Sequence, residues 1–294
     1  MDLITVPFNS SGATAGVARA PSALLDAGLL AALPGARVVA ADVPVADPAR
    51  GPSGLAAEDA LAAMVTSVSE RVLEAWAADR VPVLLGGDCP VLLGALVAAE
   101  RRNYGAGLVF VDGHEDAWDP HRSPTGEAAD SEIALALGWA SAPPALAPVL
   151  PCLRPSDLVQ LGPRDADDLA DGGQPSIADR VELLNGDRLA APDGVAIGHR
   201  MAAALVTRVQ HWWLHVDLDV LSTQALSAVD YPQPGGLSWE QLEALTETLL
   251  GIGGCGGLSV CIYNPDLDGG AAAGRIAEYV AGAARLVERH AADS

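Results

Sequence analysis

The chain has 294 residues, half of them hydrophobic, which is enough to bury a large core. Its formal charge is −21, with 38 acidic residues against 17 Lys plus Arg, and this argues against nucleic acid or an anionic membrane surface as a partner, since both need basic patches. Much of the acidic excess is accounted for by solvated helix faces. Cys89, Cys152, Cys255 and Cys261 include no CxxC pair, so a zinc ribbon is not expected. The first residues, MDLITVPFNSSGATAG, lack the basic start and apolar stretch of a signal peptide, and no apolar run reaches membrane-spanning length. The expectation is a cytoplasmic protein with reduced thiols.

Taken in chain order, strand-like apolar runs recur as LITVPF, ARVVAAD, VPVLLG, GLVFVDG, LVQLGP, VELLNG, WWLHVDLDVL and GLSVCIYNP. Between them, segments of helical period lie at 56–79, 90–102, 199–210, 239–250 and 271–288. The alternation predicts an α/β fold, a three-layer sandwich with a central, mostly parallel sheet of about eight strands. No Pro/Ser/Gly linker divides residues 1–294, so one domain is expected. Two polar, turn-rich stretches, 119–131 and 222–238, have the character of site loops.

Three acidic clusters close apolar runs: Gly86-Gly87-Asp88-Cys89, Asp112-Gly113-His114-Glu115-Asp116 and Asp217-Leu218-Asp219. Carboxylates at the ends of buried strands are costly to desolvate unless a positive charge sits among them. Strand alternation puts Asp112 and His114 on one side, and Asp217 and Asp219 likewise, while a turn near Gly113 would return Asp116. A lone DxD is more often a cap or surface loop, but three such clusters point to a shared divalent metal site. Oxygen-rich ligands with one imidazole suit Mn²⁺ and, less exclusively, Fe²⁺, Co²⁺ or Zn²⁺.

With these motifs the chain resembles the ureohydrolase family of arginase, agmatinase and formimidoylglutamase. GGDC, DGHED and DLDVL…YPQPGGLS follow the order and spacing of that family's GGDH, DAHxD and DxD…PGG motifs. GVARAPSALLDAGL (16–29), LGPRDAD (161–167) and GLSVCIYNP (257–265) extend the likeness over nearly the whole chain. The resemblance implies two metal ions bridged by Asp112 and Asp217, with Asp116 completing one site and His114 and Asp219 the other. It implies hydrolysis of a linear C–N bond in an amidine, guanidine or related amide by a metal-bridging hydroxide. It also implies a small-molecule substrate and a homo-oligomer.

The departures bear on metal and substrate. Cys89 replaces a metal-binding histidine; as a thiolate ligand it would shift preference toward Zn²⁺ or Fe²⁺, and otherwise it is a small buried residue beside a partly occupied site. The family's acid–base histidine has no counterpart, and Glu127 and Asp130, with Glu132, are offered in its place. Capping of the helical run IALALG is the alternative for these acids. Ile262 stands where guanidine hydrolases carry a guanidinium-binding glutamate, so arginine and agmatine are not expected as good substrates. Asp165 and Asp167 match acids near the substrate's tail, with helix capping as the alternative, and Trp118 is the tryptophan positioned to shape a pocket. A reading from a different class is a degenerate homologue serving as a binding or scaffold protein.

Overall fold

The computed structural model describes residues 1–102, 105 and 107–292. The apolar runs form eight strands: β1 (Asp2–Val6), β2 (Arg37–Ala40), β3 (Pro82–Gly86), β4 (Gly107–Val111), β5 (Leu158–Leu161), β6 (Glu182–Leu184), β7 (Trp212–Asp217) and β8 (Cys255–Cys261). They make one sheet in the order β2-β1-β3-β8-β7-β4-β5-β6, and every pairing is parallel. Every residue of β3, β4, β5 and β7 is buried, as continuous apolar runs covered on both faces require, whereas the edge strand β2 is largely exposed.

Helices cover both faces. They are α1 (Ala20–Asp26), α2 (Leu29–Ala32), α3 (Glu58–Ala77), α4 (Val91–Arg101), α5 (Glu132–Leu137), α6 (Ala166–Asp171), α7 (Gly186–Ala190), α8 (Gly194–Val206), α9 (Trp239–Leu250), α10 (Pro265–Asp268) and α11 (Ala273–Ala292). A capping box starts α9: Ser238 accepts from the Gln241 N–H, and the Gln241 side chain accepts from the Ser238 N–H. The helix expected over 199–210 instead begins at Gly194. Glycines disfavour helix on propensity alone, but Gly194 and Gly198 are close-contact positions. A Cβ at Gly194 would lie 1.9 Å from the Leu189 carbonyl, and one at Gly198 would lie 3.2 Å from Leu245. Packing overrides propensity there.

The same logic sets the α3–α4 contact. A Cβ at Gly94 would lie 2.5 Å from the Val68 side chain. Helix propensity favours Gly→Ala by about 1 kcal/mol, whereas overpacking a core costs roughly 1–3 kcal/mol. Gly94→Ala is therefore expected to destabilise the protein, read as a lower urea midpoint with unchanged slope; an increased midpoint would contradict the close approach.

Candidate metal centre and its cavity

The sheet order explains why distant motifs meet. β3, β8, β7 and β4 are consecutive neighbours at the centre of the sheet and all parallel, so their carboxyl ends share one edge. GGDC follows β3, Ile262-Tyr263-Asn264 follows β8, Asp217 ends β7 before Asp219, and Asp112 follows β4. The crevice outside strand carboxyl ends is where open α/β sheets place ligands.

There the acidic groups come within contact of one another. His114 Nδ1 lies 2.9 Å from Asp219 Oδ2 and 3.7 Å from Asp112 Oδ1. The Gly113 N–H donates to Asp219 Oδ1 at 2.9 Å, the Asp219 N–H to Asp217 Oδ1 at 2.6 Å, and the Cys89 thiol to Asp217 Oδ2 at 2.9 Å. Ligand atoms of Cys89, Asp112 and Asp217 fall within 4.8 Å of one another, as do those of Asp112, His114 and Asp116. Asp112, Asp116, Asp217 and Asp219 are all buried.

Burial and mutual repulsion work against ionising this cluster. Burial, then the charge of Asp219, pushes Asp112 up to about 6, and burial drives Asp116 and Asp217 well above the usual carboxylate range. Burial opposes Asp219 too, but its pair with His114 holds it below that range. His114 is raised well above an ordinary imidazole because Asp219 and Asp112 outweigh its burial. One imidazolium leaves the carboxylates under-compensated, and Asp112 Oδ2 is buried with no hydrogen-bond partner. Hard oxygen donors with a nitrogen and a sulfur, and an orphaned carboxylate oxygen among them, fit divalent cations.

A cavity of about 510 Å³ opens above the cluster, lined by Asp116, His114, Asp217 and Asp219 together with Trp118, Glu127, Asp130 and Asp165. Glu127 is half-buried at its wall and accepts from the Tyr231 hydroxyl at 3.3 Å; burial, then Asp88, pushes it up to about 7. Asp130 also lines the cavity, and burial raises it above the usual carboxylate range. Its carboxylate accepts from the hydroxyls of Ser123, Thr125 and Ser131, which commits it to holding loop 119–131. Ser131 occupies the cap position of α5 without a side-chain capping bond. Glu132 lies buried behind Asp116, its oxygens without a donor, and burial holds it well above its ordinary value.

Asp165 turns inward and accepts from the Glu115 N–H at 3.2 Å, but Asp167 is exposed and does not line the cavity. Each helical residue rotates about 100° from the last, so on α6 Asp168 and Asp171 face the cavity in its place. Trp118 packs over Gly172, where a Cβ would come within 2.1 Å of the indole ring.

Two residues at this edge hold left-handed backbone: Asp116, φ 47°, and Ile262, φ 73°. For a β-branched residue that conformation is strained. Ile262 is held in it by its N–H donating to the Gly87 carbonyl at 2.8 Å. Arg164 ties the loops together, donating to the carbonyls of Asp219 at 2.7 Å, Pro234 at 3.1 Å, Val220 at 3.2 Å and Gln233 at 3.4 Å.

Similarity to known proteins bears on the family and the fold. A sequence model of the arginase family matches residues 1–286. The chain belongs to the arginase family. Among this arginase-family chain's relatives, an N(omega)-hydroxy-L-arginine amidinohydrolase from Streptomyces lavendulae is 29% identical over 188 residues, spanning 63% of the chain and 62% of that protein's length. Human arginase-1 is 25% identical over 286 residues, covering 90% of the chain and 85% of its own length. An arginase from Entamoeba histolytica, solved in complex with L-ornithine, superposes with a TM-score of 0.84 at 18% identity, with 97% of each chain covered; at that identity the likeness concerns the fold.

The candidate site residues taken from the motifs leave out several groups found here. His215 and Cys261 lie directly below Cys89, and Asp88, Asp230 and Tyr231 line the cavity wall. His215 precedes Asp217 by two positions on β7 and so shares its side, the one local signal available.

The raised carboxylates carry a pH signature. Their folded values lie above the unfolded value of 3.8, so the stability associated with proton uptake is fully present below about pH 4 and is lost as pH rises through about 6 and beyond. His114, also raised, acts in the same sense from 6.5 upward. A cation replaces those protons, so added Mn²⁺ should raise the melting temperature of stripped protein by several degrees near pH ~8 and little near pH ~5. An increment as large at the acid value would count against metal binding by these groups.

Proposed function

We propose that this chain is a metal-dependent hydrolase of linear C–N bonds in a small cationic amidine, guanidine or related amide. The convergence of Asp112, His114, Asp116, Asp217 and Asp219 beneath an open cavity carries the reading. On the family resemblance, Asp112, His114, Asp116, Asp217 and Asp219 would hold two cations. Manganese is the expected ion, with zinc or iron favoured if Cys89 ligates. When bound, the pair supplies Lewis acidity and an activated water.

The chain's own residues divide the remaining work. Glu127, poised near neutrality, takes a proton at its carboxylate and returns it to the departing amine. Asp130 orders the loop that presents Glu127, and Asp165 and Trp118 bound the substrate's outer part. The lining holds ten carboxylate residues against His114 and Arg122 among the described residues, which favours a cationic substrate over one with a free carboxylate. No helix among the described residues is long and apolar enough to cross a membrane. A single domain, a cytoplasmic location and homo-oligomeric assembly complete the proposal on the resemblance and on four buried free cysteines.

The test is metal content after gentle purification, combined with ammonia and urea release from a panel of guanidines, amidines and amides. About two metal ions per chain with turnover of a cationic amidine or guanidine supports the proposal. A metal-free, inactive protein would instead favour a binding or scaffold role.

Position 262 supplies a second expectation. Arginine and agmatine should be poor substrates because Ile262 offers no anion to the guanidinium. A charge-assisted pair contributes about 1.5–3 kcal/mol, so Ile262→Glu is expected to raise agmatine turnover roughly tenfold or more. The substitution also removes a β-branched side chain from a backbone φ of 73°. Vigorous arginine hydrolysis by the unaltered chain would contradict this account of substrate choice.

A further inference from the structure

Cys89 belongs to a second constellation on the core side of the carboxylates. Its sulfur, an imidazole nitrogen of His215 and the sulfur of Cys261 lie within 4.8 Å of one another, and all three residues are buried. None of the three lines the cavity, whereas Asp217, whose Oδ2 accepts from Cys89 at 2.9 Å, does. The donors are two sulfurs and one nitrogen, a softer set than the oxygen-rich cluster above.

The strands build this triad. In the β7–β8 register Trp213 faces Gly257, His215 faces Ser259 and Asp217 faces Cys261. The His215 ring stacks on Phe110 at 5.0 Å and 12°. Its Nδ1 is 2.7 Å from Ser259 Oγ, and that hydroxyl in turn accepts from the Trp213 indole N–H at 2.9 Å. So anchored, His215 aims Nε2 at Cys89 Sγ, 3.2 Å away. A ligating imidazole is held in the same way, by a hydrogen bond at its other nitrogen. Cys261 is placed as firmly: a Cβ at Gly86 would lie 2.3 Å from its sulfur, so only glycine there leaves room.

We propose that Cys89, His215 and Cys261 form a binding site for a thiophilic divalent cation, zinc in the first instance, distinct from the oxygen-donor positions around Asp112, His114 and Asp219. The two thiols release their protons to solvent as the ion binds, and the thiolates balance its charge. A Cys₂His set leaves one tetrahedral position, and Asp217 borders the triad on the cavity side. Cys89 joins both constellations, so zinc drawn to the sulfurs withdraws that thiol from the oxygen cluster. This site does not depend on C–N hydrolysis.

Full-length protein, stripped of metal under reducing conditions, is titrated with Co²⁺ and, against a chromophoric chelator, with Zn²⁺. Thiolate-to-cobalt charge-transfer absorption is expected in the native chain and in Asp219→Asn, which removes a donor of the oxygen cluster and none of the triad. The absorption should fall to roughly half in Cys261→Ser, and Zn²⁺ affinity should drop about tenfold or more in His215→Gln. If these variants do not fold, zinc-edge anomalous diffraction from the native protein decides. A peak between the two sulfurs and His215 supports the site, and zinc only among Asp112, His114 and Asp219, or cobalt without thiolate absorption, overturns it. Zinc held by the triad in a protein inactive on every C–N substrate would sink the hydrolase reading and leave this site standing.

Discussion

Four carboxylates crowd the ends of two neighbouring strands, buried and facing one imidazole. Each ionised carboxylate brought out of water costs several kcal/mol, and their mutual repulsion adds to that. The fold tolerates them because backbone N–H groups of Gly113, His114 and Asp219 donate into the cluster and His114 pairs with Asp219. The remainder of the imbalance is what a cation answers. Arg164 braces the Asp219 carbonyl, and a left-handed turn sets Asp116 into the same cluster.

Charge also explains the division of labour around the cavity. At the floor Asp112, Asp116 and Asp217 are raised by burial and by neighbouring carboxylates, while His114 holds Asp219 down. Asp130, also raised by burial, is surrounded by hydroxyl donors, and among the described residues Glu127 accepts from the Tyr231 hydroxyl. One loop thus presents two chemically different acids. The hydroxyl network ties Asp130 to its own loop, whereas Glu127 is bonded across the cavity to Tyr231.

Much of this was legible in local pattern. Eight apolar runs became eight strands, and the three acidic clusters closed β3, β4 and β7. Asp112 and His114, and Asp217 and Asp219, do meet in pairs, but past the strand ends, where a bend after Val111 and the 3-10 turn Leu218–Val220 take the place of the period-two alternation the sequence suggested. The same alternation held His215, yet a strand buried on both faces gives no sign of which side faces the site. Cys261 was hidden for another reason: its nearness to Cys89 depends on β8 lying between β3 and β7, an order no local pattern encodes. The exchange of Asp167 for Asp168 turned on where one short helix begins.

The Arg164 guanidinium joins carbonyls from two segments, 219–220 and 233–234, and its own backbone N–H reaches Gly113. Displacing Gln233, which lines the cavity, would strip hydrogen bonds from the same side chain that braces the Asp219 carbonyl. The cavity wall at Gln233 and the charged floor are thereby joined through one side chain. A substitution that loosens segment 233–234 would therefore be felt at the Asp219 carbonyl as well as at the cavity wall.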